Sequence, residues 1–204
     1  MKSSLRNKPL ARTAVFVWRF AMKDLGAKTM LFPMPVLILG TYDKEGKADA
    51  MNAAWGGIAD DNQVWVCMSK HKTTENLALT KEATIAFGTV ETVKACDYVG
   101  IVSANKEADK IKKAGWTVTK SKNVNAPIFE QLPLTLECRL LKIVDDEKYL
   151  FQIVNVVADE KILGADGNVN LSKYHPITYD CAGHGYYELG KRVGNAFSDG
   201  KELA

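Results

Sequence analysis

Apolar runs separated by short polar turns dominate the chain from Pro35 onward. Residues 36–42 (VLILGTY) are almost continuously apolar and β-rich, and the turn that follows places Gly46 where a positive φ is needed. The return half of this hairpin is predicted over residues 48–59. Further strands are predicted at residues 64–68, 83–90, 132–144 and 148–157, with a last short strand at 186–189.

Helical signals are fewer and shorter. Residues 73–81 predict a helix with Thr73 as its N-cap, and residues 91–103 and 107–115 predict two more, the second closed by Gly115. Residues 117–130 have no period and predict a long surface loop. Roughly six strands, most of them antiparallel neighbours, predict a mainly β fold with short helices, arranged as a closed or nearly closed barrel.

The length of 204 residues suits one well-packed domain. We expect this domain over residues 31–204, preceded by an N-terminal extension or arm over residues 1–30. Residues 14–20 (AVFVWRF) are too short for a secretion signal, and Arg19 interrupts them. Two interpretations stay open: an accessory amphipathic arm, or an upstream extension before an internal start at Met22.

Charge and cysteine usage exclude several classes of function. The net charge is only +3, and no basic stripe is visible on the body of the chain, so we expect no nucleic-acid partner. No apolar run reaches the roughly 20 residues of a bilayer span, so we expect no membrane association. The four cysteines lack metal-ligand spacing, which argues against zinc. Scattered thiols fit a reducing cytoplasm, where each is expected to be a small buried side chain.

The strongest local signal for chemistry is the polar loop between a strand and a helix at residues 64–77. A phosphomonoester is held by backbone N–H groups at a helix N-terminus, by hydroxyls and by flexible cations. The candidate ligands are the side chains of Ser69, Lys70, His71, Lys72, Thr73 and Thr74. The alternative is a solvated basic loop with an ordinary capped helix.

The order of these motifs resembles the flavin reductase-like family of FMN-binding split barrels, including its flavoredoxin-type members. The matching segments are MNAAWGG (51–57), MSKHKTTENL (68–77) and FGTV (87–90), followed by segments at 109–116, 125–138 and 186–201. The resemblance covers about residues 33–201 and implies non-covalent FMN. It places the flavin ring against Asn52, Ala53, Ala54 and Trp55, the phosphate on the loop at 68–77, and Phe87 beside the cofactor.

Two of these residues have an open alternative. Trp55 is expected either to form a wall for the flavin ring or to pack in the core. His184 corresponds to a histidine that faces the nicotinamide in some relatives, and it is our catalytic candidate, with a structural turn residue as the alternative. The chain has no G-x-G-x-x-G fingerprint, so no Rossmann-type nucleotide site is expected.

The resemblance implies a homodimeric FMN oxidoreductase that passes electrons from NAD(P)H through flavin to an acceptor. A second hypothesis keeps the flavin but omits the nicotinamide: a flavoredoxin-like carrier that exchanges electrons with a redox protein partner. A third is a split barrel that binds another ligand, such as haem, or that serves only as an interaction module.

Overall fold

The computed structural model describes residues 21–203, so the apolar stretch at 14–20 lies outside the described part. Twelve strands and three helices are formed within it. The strands are β1 Met34–Pro35, β2 Leu37–Tyr42, β3 Ala48–Ala53, β4 Gly56–Asp60, β5 Gln63–Cys67, β6 Glu82–Phe87, β7 Val118–Lys120, β8 Pro127–Phe129, β9 Leu134–Val144, β10 Lys148–Ala158, β11 Ile177–Asp180 and β12 Gly185–Glu188. The helices are α1 Lys72–Thr80, α2 Val93–Ile101 and α3 Lys110–Lys113, with short 3-10 turns at Glu160–Ile162 and Asp199–Leu203.

Seven strands form one antiparallel sheet in the order β3-β2-β6-β9-β10-β5-β4. β3 and β4 lie at opposite ends of this order, yet only two residues, Ala54 and Trp55, separate them in the chain. The sheet must therefore curl until its two ends approach each other. The predicted mainly β, barrel-like fold with short helices is confirmed as a curled antiparallel half-barrel.

Both faces of the central strands are buried, which explains the continuous apolar run at the first hairpin. Side chains alternate between the faces of a strand. Leu37 and Leu39 of β2 pack inside the curled sheet with Phe151, whereas Ile38 packs on the other face with Val99 of α2. A second sheet, β1-β11-β12, packs onto this outer cluster through Ile177 of β11.

The predicted return strand over residues 48–59 is wrong as a single element. β3 pairs with β2, whereas β4 pairs with β5 at the other end of the sheet. Gly56 makes this crossing possible, because a Cβ there would lie 2.8 Å from the Trp65 carbonyl oxygen. The small residues of this segment thus serve the fold as well as any ligand.

The surface loop predicted at residues 117–130 is also wrong. It contains the β7–β8 hairpin, and Phe129 is fully buried. Ser121 and Asn123 donate hydrogen bonds to the carboxylate of Glu137, which is 1% exposed. Burial raises the pKa of Glu137, but hydrogen bonds from Ser121, Asn155 and Asn123 outweigh it and lower the pKa overall. A buried carboxylate therefore fixes a segment whose own sequence has no period.

α3 differs most from its prediction, and the start of α1 differs as well. The N-cap is His71 rather than Thr73, because His71 has extended backbone angles and its N–H donates to Thr74 Oγ1 over 2.9 Å. Residues 107–115 form only the single turn of α3, and Gly115 follows it with φ 74°. No helix within residues 21–203 combines the length and the apolar character that crossing a bilayer requires.

Candidate functional site

A cleft of about 410 Å³ opens where the two ends of the curled sheet approach each other. Four elements contribute to it: the end of β3, the loop between β5 and α1, one face of α2, and the β11–β12 hairpin. Its lining residues are Met51, Asn52, Ala53, Ala54, Trp55, Cys67, Met68, Ser69, His71, Asp97, Gly100, Ile101, Tyr179, His184 and Tyr186.

Aromatic side chains form one wall of the cleft. Tyr179 and Tyr186 are cross-strand neighbours on β11 and β12, and their ring centroids are 5.9 Å apart. Trp55 lies 6.3 Å from Tyr179 by the same measure and is 48% exposed. Trp55 is therefore not a core residue, and its contact with a flavin ring stays a prediction. We call Trp55, Tyr179 and Tyr186 the aromatic wall.

Hydrogen bonds between β3, α2 and β12 hold the sides of the cleft together. Asn52 Nδ2 donates to the Cys96 carbonyl oxygen over 3.0 Å, and the Tyr186 hydroxyl donates to Asp97 Oδ1 over 2.9 Å. Gly100 lets α2 approach closely, because a Cβ there would lie 3.0 Å from Asn52 Cβ. Burial and the neighbouring Asp97 carboxylate raise the pKa of Tyr186 to about 12, so its hydroxyl stays protonated.

His184 occupies the turn between β11 and β12 with φ 56°, in the left-handed region. Non-glycine residues adopt this region at a cost of about 1–2 kcal/mol. The imidazole Nδ1 lies 2.8 Å from the Tyr179 hydroxyl, and the side chain lines the cleft. The turn thus holds an imidazole at the open side of the aromatic wall.

The loop between β5 and α1 brings polar groups to the other end of the cleft. Ser69 Oγ lies 3.0 Å from His71 Nε2. Within residues 21–203, no oxygen accepts a hydrogen bond from the backbone N–H of Lys72 or Thr73 at the start of α1. Donors of this kind favour an anion.

A smaller pocket of about 260 Å³ adjoins the cleft at this end and shares Asn52 and His71 with its lining. We call it the side pocket; Lys72, Thr73, Asp49, Ser103 and Lys110 also line it. Its floor is a buried ion pair in which Lys110 Nζ lies 3.3 Å from Asp49 Oδ1 and donates to the Ala50 carbonyl oxygen over 2.5 Å. Lys110 is only 4% exposed, and burial lowers its pKa despite the nearby carboxylate.

A family model for the flavin reductase like domain matches residues 29–180 of this chain. The chain belongs to the flavin reductase-like family. Membership of this family supports a flavin ligand and a flavin-related redox function.

Solved structures of this family resemble the chain over nearly its whole length. It is 30% identical to the flavoredoxin of Desulfovibrio vulgaris (Miyazaki F), with a TM-score of 0.84 over 88% of this chain and 99% of the other. The flavoredoxin of Methanosarcina acetivorans is 26% identical, with a TM-score of 0.80 over 90% and 100%. The FMN-binding domain of a flavin reductase-like enzyme from Shewanella baltica OS155 shares the fold at 19% identity and a TM-score of 0.70, over 79% and 89%. The half-barrel is thus the split β-barrel of FMN-binding domains.

The cleft of this flavin reductase-like chain brings together seven of the twelve residues that the sequence suggests for the site. These are Asn52, Ala53, Ala54, Trp55, Ser69, His71 and His184. Lys72 and Thr73 line the side pocket instead, and the Thr73 hydroxyl donates to Asp49 Oδ2 over 2.8 Å. Lys70 is exposed on the loop, and Thr74 caps α1.

Phe87 is a predicted site residue that lines neither the cleft nor the side pocket. It lines a separate apolar trough on the inner face of the sheet, together with Leu37, Val64 and Leu136. The Phe87 side chain packs against the hydrophobic core cluster that contains Leu37. The structure does not bring Phe87 to the cleft.

Several site residues were missed from the sequence. Tyr179, Tyr186 and Asp97 reach the cleft through tertiary packing, and no local motif marks them. Lys110 is one of four lysines at residues 106–113, a pattern typical of a solvated helix. Nothing in this sequence distinguishes the buried Lys110 from the other three lysines. Its pairing with Asp49 is visible only in three dimensions.

The four cysteines are unpaired but not uniformly buried. Cys96 and Cys138 are buried as expected, and burial raises the pKa of Cys96 to about 11 and that of Cys138 to about 12. The expectation is wrong for Cys67, which is exposed in the cleft, and for Cys181, which is half-buried and donates to the Thr29 carbonyl oxygen. No group of three potential metal ligands is found among residues 21–203.

Proposed function

We propose that this chain is an FMN-binding oxidoreductase that transfers electrons from NAD(P)H to an acceptor. One observation supports it most strongly. In a member of the flavin reductase-like family, an aromatic-walled cleft continues directly into a polar side pocket at the start of a helix. FMN has matching parts: a flat aromatic ring that suits the cleft, joined by a ribityl chain to a phosphate that suits the polar side pocket.

The cleft suits the flavin ring. Its volume lies in the range of about 300–1,000 Å³ that small-molecule sites occupy. The small side chains of Ala53 and Ala54 allow a ring to approach the backbone, and Trp55 offers an exposed aromatic surface. Asn52 Nδ2 donates to the Cys96 carbonyl oxygen and holds β3 against α2, which fixes the amide at the edge of the cleft.

The side pocket suits the phosphate. The backbone N–H groups of Lys72 and Thr73, which have no acceptor within residues 21–203, and the Lys72 side chain provide donors and charge at the side pocket. The Ser69 hydroxyl adds a donor from the adjoining cleft. Lys110 adds a second, buried cation, held in position by Asp49. The Thr73 hydroxyl is occupied by Asp49, so we assign Thr73 a contribution through its backbone rather than its side chain.

Bound FMN would accept a hydride from NAD(P)H and pass the electrons onward, and the chain's own residues position the partners. His184 and Tyr179 lie on the hairpin side of the cleft, where we place the nicotinamide. Tyr186, held neutral beside Asp97, orders the hairpin against α2. The cytoplasmic location expected from four unpaired cysteines is part of this proposal.

A flavoredoxin-like electron carrier is the second candidate. The observation that favours it is the 30% identity with the Desulfovibrio flavoredoxin over 99% of that protein. A carrier would receive its electrons from a redox protein and would not need a nicotinamide site.

Anaerobic stopped-flow mixing with NADH and NADPH separates the two candidates. The FMN-loaded chain should be reduced by at least one nucleotide at a rate that saturates with concentration. Dithionite serves as the control that every bound flavin can be reduced. Full reduction by dithionite with negligible reduction by both nucleotides would overturn the reductase proposal and favour the carrier.

A further inference from the structure

His184 has features that nucleotide oxidation does not explain. Hydride transfer from a nicotinamide requires no proton from the protein. The chain nevertheless holds an imidazole in the cleft at a left-handed backbone position, in a turn where glycine or asparagine would be less strained. Strained residues that line a site point to a function of the side chain.

The contact with Tyr179 leaves one imidazole nitrogen available. Nδ1 lies 2.8 Å from the Tyr179 hydroxyl, and Nε2 has no hydrogen-bond partner within residues 21–203. A hydroxyl can either donate or accept, so Tyr179 can hold the ring both before and after His184 loses a proton. Imidazole is the side chain best suited to give a proton near neutral pH.

The surroundings of His184 favour a flat, conjugated ligand. The Tyr179 ring neighbours both Trp55 and His184 at centroid distances of 6.3 Å, so aromatic surface continues from the proposed flavin position to the imidazole. Exposed aromatic faces of this kind bind planar apolar rings.

We propose that His184 is a general acid for the reduction of a planar conjugated carbonyl acceptor of the quinone class, bound on the hairpin side of the cleft against Tyr179. The acceptor takes a hydride from the reduced flavin and one proton from His184 Nε2, and leaves as the hydroquinone. The flavin returns to its oxidised state, and the imidazole regains its proton from solvent through the open cleft. This inference rests on the proposed flavin function and names the class of its acceptor.

The test compares two acceptors that differ in their need for a proton. The FMN-loaded chain is reduced anaerobically and mixed either with menadione, a quinone, or with ferricyanide, which takes single electrons and no proton. His184→Asn removes the acid with a residue that tolerates the left-handed region. It should slow reoxidation by menadione about 100-fold, the usual contribution of a general acid, and leave the ferricyanide rate unchanged. If a proton is transferred in this step, reoxidation of the wild type by menadione should be slower in D₂O than in H₂O. This solvent isotope effect should disappear in His184→Asn.

His175→Gln is the matched control, because His175 pairs with Glu188 over 2.7 Å and does not line the cleft. Tyr179→Phe should slow reoxidation by menadione less than His184→Asn does, since the imidazole stays and only its hydrogen bond to the Tyr179 hydroxyl is lost. A measurement without turnover accompanies these rates: in the oxidised protein, menadione should shift the NMR resonances of the His184 ring and not those of His175.

Equal menadione rates for wild type and His184→Asn would overturn the inference, as would equal slowing with both acceptors or unmoved His184 resonances. If the chain takes up no FMN, the proposed function fails and this inference fails with it. If FMN is bound and reduced normally but His184 has no effect, only this inference fails.

Discussion

Ala54 and Trp55 are the two residues at which the chain passes from one end of the curled sheet to the other. Both line the cleft, so the same short segment joins the two ends of the sheet and forms part of the candidate site. A substitution here therefore distinguishes a role in ligand binding from a role in packing alone.

Ala54→Leu should abolish FMN binding and leave a folded protein, because the larger side chain occupies the space where the ring approaches the backbone. If the segment only packs in the core, overpacking should instead lower the free energy of unfolding by about 1–3 kcal/mol and leave FMN occupancy unchanged in the folded fraction. Flavin content and thermal unfolding, measured on the same sample with and without FMN, distinguish these results.

Ala59→Leu is the matched control for this variant, since Ala59 is exposed on β4 and does not line the cleft. It should bind FMN as the wild type does. Retained FMN with a lowered melting temperature in Ala54→Leu would mean that the ring lies elsewhere.

Replacing both Lys70 and Lys72 by Ala should weaken FMN binding far more than riboflavin binding, because riboflavin lacks the phosphate. Charge-assisted hydrogen bonds contribute about 1.5–3 kcal/mol each, so loss of one alone raises the FMN dissociation constant about tenfold or more. We expect most of the effect from Lys72, which lines the side pocket, whereas Lys70 is exposed.

The control for the lysine pair is Lys120→Ala with Lys122→Ala, two exposed lysines that line neither pocket. Fluorescence titration with each flavin gives the two dissociation constants. An equal loss of affinity for FMN and for riboflavin would contradict a role of this loop in binding the phosphate.

Local chemistry made part of the site predictable. A run of small residues and a hydroxyl-rich cationic loop have recognisable sequences, and residues from both reach the cleft. The aromatic wall could not be predicted, because Tyr179 and Trp55 are more than a hundred positions apart in the chain and only the packing of the β11–β12 hairpin brings them together. Thr73 shows the opposite case: a hydroxyl with a suitable position in the sequence is occupied by the buried Asp49.

Secondary structure followed the sequence where two long apolar segments are separated by a clear polar turn. The long hairpin of β9 and β10 matches its prediction within two residues at each end. The predictions were wrong where tertiary contacts decide the backbone: at Gly56, where the chain crosses the sheet, and at residues 117–130, where Glu137 supplies hydrogen bonds from a distant strand.

The Asp49–Lys110 pair joins β3, α1 and α3 and supports the side pocket from below. Lys110→Met should lower the free energy of unfolding by about 3–5 kcal/mol, because it leaves the Asp49 carboxylate buried without its cation. The double variant Asp49→Asn, Lys110→Met should lose less stability than Lys110→Met alone. It has no unpaired carboxylate at position 49, and the asparagine oxygen can still accept the hydrogen bond from Thr73.

Urea unfolding of the two variants and the wild type measures these differences. Lys113→Met is the matched control: Lys113 belongs to the same helical turn but is exposed, and it should unfold close to the wild type. A double variant less stable than Lys110→Met would show that the pair stabilises the fold by itself rather than only avoiding an unpaired charge.

The whole molecule exposes apolar side chains on its longest strands, and we propose that a second copy covers them in a C2 homodimer. Leu141 and Ile143 of β9 and Val154 and Val156 of β10 are all exposed. Large exposed apolar surfaces mark sites of protein–protein contact, and most soluble oligomers are symmetric homo-oligomers.

Light scattering at micromolar concentration should therefore give twice the mass of one chain. Ile143→Lys with Val156→Lys should shift the protein toward the monomer, because each charge would be buried at the interface. A wild-type monomer that still retains flavin would contradict the dimer.

Binding of FMN in the cleft at Ala54 and Trp55 can be measured from the visible absorption spectrum after addition of excess FMN and desalting. We expect one retained flavin per chain for the wild type and for Ala59→Leu, and none for folded Ala54→Leu. A folded wild-type protein that emerges colourless would contradict it.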